Sequence, residues 1–459
     1  MINTQKGDLI SISTLLLNYS SISILLSLCQ HFSSSTTMTN TDRKQLFFQR
    51  STLLYLSFYL IISVTCSDPS YTPPDNIAIN CGGHGDSVSL DGRKWTGDIS
   101  SKFISSQQQQ LNASSTSTAS TQDFAPQIPY TTARIFHSQF TYTVPVSIAG
   151  PKFIRLHFHP ASYSSLNIST AFFYISVDKY TLVHNFSTSL TAGYLNTTYF
   201  VKEFCINMVS EQSLNITFSP SPGGFAFVNG IEVVSMPANL YINGNKDVPL
   251  VGQSQTFIVD NTTALEMIYR LNVDGQAISP ADDTGMFRAW SQDIDYIYGG
   301  ATGQDPYHFT INISYTKVPP YTAPEILYRT ARSMGMEAIV NEHYNLTWLF
   351  PVDSGFYYLV RLHFCEIAPE ITGANQRVFE IFLNNQTADD QMDIMTYAGG
   401  IGVPIYRDFI LMVPGTGSKE DLWLALHPNT GSRPKYPDAL LKRSRNLQAE
   451  QKRRISRWT

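Results

Sequence analysis

Apolar and polar residues alternate with a period of two over many short runs of this chain. The first series lies at 153–158, 171–177, 199–207, 214–218 and 226–234, and a second follows at 265–273, 357–364, 378–383, 409–413 and 422–426. Successive side chains of an extended chain point to opposite faces, so each run predicts a strand with one buried and one wetted face. No stretch shows the three-to-four-residue spacing of a long amphipathic helix. Short strands separated by Gly, Pro, Asn and Ser predict an all-β chain built of β-sandwiches. A Ser/Thr/Gln-rich insert at 104–121 reads as a mobile surface loop.

The two series echo each other. Pro151-Lys-Phe-Ile-Arg-Leu-His-Phe-His159 and Phe356-Tyr-Tyr-Leu-Val-Arg-Leu-His-Phe-Cys365 share Arg-Leu-His-Phe at an offset of 361 − 155 = 206 residues. Tyr199-Phe-Val-Lys-Glu-Phe204 and Pro404-Ile-Tyr-Arg-Asp-Phe409 keep nearly that offset. More loosely, Asp91-Gly-Arg-Lys-Trp95 answers to Asp274-Gly275 followed by Arg288-Ala-Trp290. Motifs recurring in one order at one long offset predict a duplicated domain rather than a short-period solenoid. The expected division is repeat one at 75–236, a Pro/Asn/Gly linker at 237–250 and repeat two at 251–441.

Residues 53–64 are apolar, too short to span a bilayer, preceded by Arg43, Lys44 and Arg50, and followed by the small residues Thr65-Cys-Ser67. That is the layout of a signal peptide, taken here as 38–67 with Met38 as its start and 1–37 as an upstream extension. Secretion agrees with nine N-glycosylation acceptors downstream of the leader, at Asn112, Asn167, Asn185, Asn196, Asn215, Asn261, Asn312, Asn345 and Asn385. The charged fraction is 15%, while Tyr and Phe number 25 and 27, a balance that suits a secreted β protein and shows no basic stripe for nucleic acid. The net charge of −5 hides an asymmetry, because residues 442–459 carry seven Lys or Arg against one Glu and leave the rest at −5 − 6 = −11. Three of the five cysteines follow the leader, which allows at most one internal disulfide, with Cys81–Cys205 a possible pairing.

The residues bear on several chemistries. Asp282-Asp283, Asp293 with Asp295, Asp389-Asp390 and Glu366 are the carboxylates a glycosidase could use, but neighbouring acids on a strand face opposite ways. His157 and His159 share a strand face as two metal ligands would, yet the second copy has His363 and Cys365 there, so a structural role is expected and no metal or cofactor. No basic residue near Cys365 in sequence would activate its thiol. The glycines at 399–402 and 299–303 lack the Lys-Ser/Thr of a phosphate loop, and no kinase motif occurs. Tyr174, Tyr180, Tyr194, Tyr357, Tyr358 and Tyr397 are candidates for a sugar-stacking platform. The ligand-binding residues themselves stay unassigned.

Asn80-Cys-Gly, Asp91-Gly-Arg-Lys-Trp, Asn229-Gly-Ile-Glu-Val-Val, Ala331-Arg-Ser-Met and Asn345-Leu-Thr-Trp-Leu-Phe-Pro-Val-Asp-Ser-Gly-Phe-Tyr-Tyr-Leu-Val-Arg-Leu-His-Phe-Cys-Glu-Ile367 together resemble the tandem malectin-like ectodomain of plant receptor-like kinases of the Catharanthus roseus receptor-like kinase family, most nearly its FERONIA-like members. The resemblance covers about 75–441. It implies two malectin-like β-sandwiches outside the cell or at its plasma-membrane surface. It also implies sensing of cell-wall polymers and of secreted peptides of the rapid alkalinization factor class, a small lipid-anchored co-receptor, and a Ser/Thr kinase whose motifs this sequence lacks. After Leu441 the family continues into an Asn-Gly-x-Glu strand, whereas this chain turns into Lys442-Arg-Ser-Arg-Asn. Repeat two is therefore expected to lack its last strand, to expose an unpaired edge and to be less stable than repeat one, with 442–459 an aberrant basic tail. The alternatives are a soluble binder of pectin-type carbohydrate and a non-functional receptor fragment.

Overall fold

The computed structural model describes residues 71–450 apart from 105–113, 120–124, 164–165, 210–211, 242–246, 300–302, 304–309 and 336. The expected leader, the extension before it and residues 451–459 lie outside the described residues. Each repeat is a sandwich of two sheets whose inner faces are apolar, as the alternation predicts. In the first, Gly150–Phe158 is flanked by Gly230–Ser235 and Phe200–Met208, and Asn76–Asn80 extends the sheet beyond Gly230–Ser235. Its second sheet runs Phe140–Pro145, Ser213–Pro220, Phe172–Val177, Tyr180–Ser187. Phe158, Phe173, Phe218 and Phe227 fill the space between.

The second sandwich repeats this order. Phe356–Phe364 takes the place of Gly150–Phe158, Ile405–Val413 that of Phe200–Met208, and Leu265–Asn272 that of Asn76–Asn80. Its second sheet runs Leu346–Asp353, Lys419–Pro428, Phe379–Leu383, Gln386–Met392. The loose third sequence pair also holds. Thr96, after Trp95, pairs in parallel with Ile79, and Ser291, after Trp290, pairs in parallel with Leu271.

The two sandwiches are one continuous sheet at their junction. Glu203, Phe204 and Cys205 pair with Met267, Glu266 and Leu265, so the last strand of one copy's sheet hydrogen-bonds the first strand of the other's. A separate apolar core seals this joint, with Phe153, Val234, Leu265, Leu359 and Ile410 among its members. The described residues of the predicted linker contribute to that core, since Leu240, Tyr241, Val248 and Leu250 are buried in it. Two other expectations change. Ser114–Thr118, inside the insert expected to be a mobile loop, is a strand paired with Thr132–Phe136. The run 226–234 is two strands, broken at Asn229 so that one half joins Thr132–Phe136 and the other Gly150–Phe158.

The expected missing strand is corrected. Arg443–Glu450 lies between Leu265–Asn272 and Phe356–Phe364, the slot that Gly230–Ser235 fills in the first copy. A ladder slot between two strands asks only for backbone N–H and C=O groups, which any extended segment supplies. The residues that fill it differ in kind. Glu232 stands opposite Arg155, whereas Arg445 stands at the register position opposite Arg361. Gly230 is required in the first copy because a Cβ there would come within 2.6 Å of Pro129, whereas Arg443 holds the matching position opposite His363. The ladders of Arg443–Glu450 are interrupted by register shifts on both sides, whereas Gly230–Ser235 pairs with both neighbours without one.

Two outcomes follow from this architecture. Amides of residues 443–450 are expected to exchange with deuterium at least about tenfold faster than those of Gly230–Ser235, and equal protection would show that the register mismatch is harmless. Glu203→Gln at the junction is expected to cost ~3–5 kcal/mol and to split a single calorimetric transition into two, because it leaves two buried guanidinium groups short of an acid.

Candidate functional site

The junction carries a chain of buried charges. Arg93 Nη1 lies 2.7 Å from Glu232 Oε2, and Arg155 Nη1 lies 3.0 Å from the same oxygen. Arg155 Nε donates to Glu203 Oε2 at 2.6 Å, and Glu203 Oε1 pairs with Arg270 of the second repeat. His157 Nε2 completes the Glu232 carboxylate at 2.7 Å, and Tyr130 OH meets His157 Nδ1 at 2.9 Å. Burial works against charge on Glu232, but Arg93 and Arg155 outweigh it and hold the carboxyl well below the usual range. The same balance, with Arg270 and Arg155 opposing burial, lowers Glu203.

Arg93, at the end of this chain of charges, lines an open cleft of about 880 Å³ whose walls come from both copies. One lip is the Asp91-Gly-Arg-Lys-Trp95 turn. Gly92 takes φ +79°, its amide bonds Ser89 O at 2.9 Å, and Trp95 Nε1 donates to Ser89 Oγ at 3.0 Å. Lys102 and Phe103 stand on the same side. The opposite lip is the repeat-two loop at 281–287. Phe287 lies 4.1 Å from the Arg93 guanidinium, and Met286 O accepts from Arg155 Nη2 at 2.9 Å. That loop is pinned by Asp283, which takes Arg288 Nε at 2.8 Å and Nη2 at 2.9 Å and whose carboxyl, despite burial, is held down at about 2 by Arg288. Both lips of the cleft are thus held by hydrogen bonds and ion pairs, and Arg93, Lys94 and Lys102 line it together with Asp91.

The residues singled out from sequence fall into place unevenly. Asp283 serves Arg288, Asp293 serves Arg332, Glu366 serves Arg377, and Asp389 lies 3.1 Å from Arg407. Asp282, Asp295 and Asp390 are exposed. His157 and His159 do not converge, since His159 Nδ1 bonds Thr198 O at 2.7 Å, and no metal-ligating group of three or more forms among the described residues. The Cys81–Cys205 pairing is corrected. Both are thiols: Cys81 sits in the first sandwich core, while Cys205 is in the junction core with Sγ 3.3 Å from Met236 Sδ. Neighbouring residues of one strand face opposite cores, which puts the sheet between them. Burial, aided by Asp98, pushes the Cys81 thiol up. Among the tyrosines, Tyr180 and Tyr358 are buried with their hydroxyls on backbone carbonyls, Tyr174 and Tyr357 are half-buried, and Tyr194 and Tyr397 are exposed beneath Lys419 and Arg407. Of the nine glycosylation acceptors, Asn112 lies outside the described residues, Asn215 is half-buried and the other seven are exposed.

A second duplicated constellation escaped the sequence reading. Arg134 Nε meets Asp98 Oδ2 at 2.7 Å, and Arg332 Nε meets Asp293 Oδ2 at 2.7 Å. Tyr142 OH closes the first at 2.6 Å and Trp348 Nε1 the second at 2.9 Å. Tyr328 OH meets His363 Nδ1 at 2.9 Å, as Tyr130 meets His157. The signal was present as Tyr130-Thr-Thr-Ala-Arg134 and Tyr328-Arg-Thr-Ala-Arg332, offset by 332 − 134 = 198 residues. The exposed Tyr298 and the half-buried Trp423, with ring centroids 5.3 Å apart, form an aromatic pair that was also missed.

A malectin-like domain model matches residues 79–437. The chain is 46% identical over 402 residues to the receptor-like protein kinase FERONIA of Arabidopsis thaliana, covering 85% of this chain and 44% of that protein. It is 36% identical to the receptor-like protein kinase ANXUR2 of the same plant, over 84% of this chain and 44% of the relative. The chain therefore spans less than half the length of these curated relatives. A crystal structure of the plant peptide RALF23 in complex with FER and LLG2 contains a chain that superposes with a TM-score of 0.75 at 45% identity, over 83% of this chain and 97% of that one.

Removing the pin of the repeat-two lip tests how that lip is held. Asp283→Asn is expected to cost ~3–5 kcal/mol by stranding buried Arg288. A carboxyl held at about 2 contributes stability above the ordinary carboxylate range that is lost as pH falls through about 2. The variant should accordingly show a shallower loss of stability between about pH 4 and 2 in denaturant titrations, and an unchanged acid limb would count against the pairing.

Proposed function

The chain belongs to the malectin-like family of plant receptor-like kinase ectodomains, and we propose that it is an extracellular ligand-recognition module that binds a secreted peptide of the rapid alkalinization factor class together with a small lipid-anchored co-receptor. The observation that carries this reading is the match across nearly the whole FER chain in the complex with RALF23 and LLG2. The cleft walled by both sandwiches supports it, because a surface held in place before binding loses less entropy on association. Exposed glycosylation acceptors on both sandwiches suit passage through the secretory pathway. The protein acts by binding rather than catalysis: the buried carboxylates, Asp283, Asp293 and Glu366, are committed to arginine pairs, and a kinase belongs to the parts of the relatives that this chain does not span. In a receptor, such a module would bias assembly with the co-receptor through its differential affinity for the assembled state.

The test is calorimetric titration of the glycosylated chain with a RALF-class peptide, with and without the co-receptor ectodomain. Binding that strengthens when the co-receptor is present is expected. A folded protein that binds neither, but retains pectin fragments on a glycan array, would replace this reading with a carbohydrate-binding one.

A further inference from the structure

The outer sheet of the second sandwich carries an apolar strip on the face turned away from the core. Tyr298 N donates to Thr347 O at 2.9 Å, Leu349 N donates to Tyr296 O at 2.8 Å, and Ile297 bridges Trp348, so residues 296–298 extend this sheet beyond Leu346–Asp353. Leu346, Trp348 and Phe350 belong to the core, as do Leu422, Leu424 and Leu426 of the next strand. Alternation therefore turns Asn345, Thr347 and Leu349 outward, with Trp423 and Ala425 beside them. Thr347 pairs with Ala425, and Ala425 with Phe382, while Leu349 pairs with Trp423. Tyr298 heads the first of these rows and leans onto Trp423 of the second, with ring centroids 5.3 Å apart.

The first sandwich treats the same face differently. Tyr142 and Trp348 serve corresponding aspartates, which aligns the two outer sheets. Thr141 then corresponds to Thr347, Thr143 to Leu349, Thr217 to Ala425 and Asn215 to Trp423. The first copy's set is polar and paired across the strands, Thr141 Oγ1 with Thr217 Oγ1 at 2.8 Å and Thr143 Oγ1 with Asn215 Oδ1 at 3.1 Å. That face suits water. Leu349, Ala425, Trp423, Phe382 and Tyr298 suit a cover, because a contiguous apolar patch on an exposed face marks a place where something lies.

The chain itself offers the cover. Asn345-Leu-Thr347 is a glycosylation acceptor, and Asn345 is exposed. Asn345 shares the outward face of Thr347 and lies two residues, or about 7 Å, along the strand from it. A glycan on Asn345 thus starts one row away from Tyr298, Thr347 and Ala425. A pyranose has C–H groups on its faces and hydroxyls at its rim, and the negative face of an aromatic ring attracts the former. Glu380, opposite His427 at the end of the strip nearer Asn345, can accept from the rim hydroxyls. Asn385, the other acceptor on this sheet, follows Asn384, whose Oδ1 takes Trp423 N at 2.7 Å.

We propose that the Tyr298–Trp423 pair is a docking platform for the chain's own N-linked glycan at Asn345, whose first sugars lie over Thr347 and Ala425 and cover the apolar strip. The tether makes the contact intramolecular, so a weak stacking interaction is enough to keep the sugars in place. The glycan then forms part of the outer surface of the second sandwich and closes that face to protein partners. This inference rests on passage of the chain through the secretory pathway and not on its binding a peptide.

The test uses the intact chain secreted as a glycoprotein, with no ligand added, so failure of the peptide-binding reading would leave the result untouched. Mass spectrometry of its peptides should find Asn345 glycosylated. Acrylamide quenching of tryptophan fluorescence then reads the platform: Trp95, Trp290 and Trp348 are buried, and subtracting the signal of Trp423→Phe isolates Trp423. Trp423 should be quenched at least about twofold more readily in Asn345→Gln than in the glycosylated wild type, because its ring loses the covering sugars. Asn385→Gln should leave the quenching unchanged. Asn345→Gln should also lower the Tm of the wild type but not that of Tyr298→Ala, the non-additivity expected of groups in contact. A bare Asn345, quenching indifferent to Asn345→Gln, or shielding lost through Asn385→Gln instead would overturn the proposal.

Discussion

A buried arginine on the middle strand of each sandwich, answered by an acid directly across on the neighbouring strand, is the constraint on which the rest depends. Arg155 faces Glu203 and Arg361 faces Asp408, both at 2.6 Å. Such pairs add little net stability, because desolvation offsets most of the attraction, but they make misalignment costly. A one-residue slip would turn each arginine to the other face and strand two charges in the core. The two short motifs recurring in the sequence are therefore the two halves of one bond. Their structural equivalence, 408 − 203 = 205, lies one residue from the offset of the arginines.

The first copy elaborates that bond into the joint. Glu203 serves both Arg155 of its own sandwich and Arg270 of the next, and Glu232 holds Arg155, Arg93 and His157 at once. The covering apolar core contains residues from both copies and from the connecting segment. The described residues of the expected linker are consequently part of a packed seam, and the cleft beside it takes its walls from both sandwiches. In the second copy Arg361 has Asp408 and the Leu240 carbonyl, and the closing strand carries Arg445 at the position of Glu232. The first sandwich is closed by complementary charge, and the strand that closes the second is paired through its backbone on both sides.

Alternating hydrophobicity determined by itself that the chain is all-β, and it placed strands such as Gly150–Phe158 and Phe356–Phe364 within a few residues, because the period of two is a local property of extended chain. Internal repetition determined the duplication, and the quoted motifs pointed to the malectin-like family that the whole-chain comparisons show. The repeated Tyr-x-Thr-Ala-Arg was equally present and went unread, because an arginine's acid partner lies 36 or 39 residues away and nothing local marks Asp98 or Asp293 as that partner. Only the tertiary structure decided that the connecting segment is core, that Cys81 and Cys205 lie on opposite sides of a sheet, that residues 443–450 enter a vacant ladder slot, and that the walls of the cleft come from both copies. Each depends on which distant strand lies alongside, a relation set by packing and backbone pairing that no window of sequence contains.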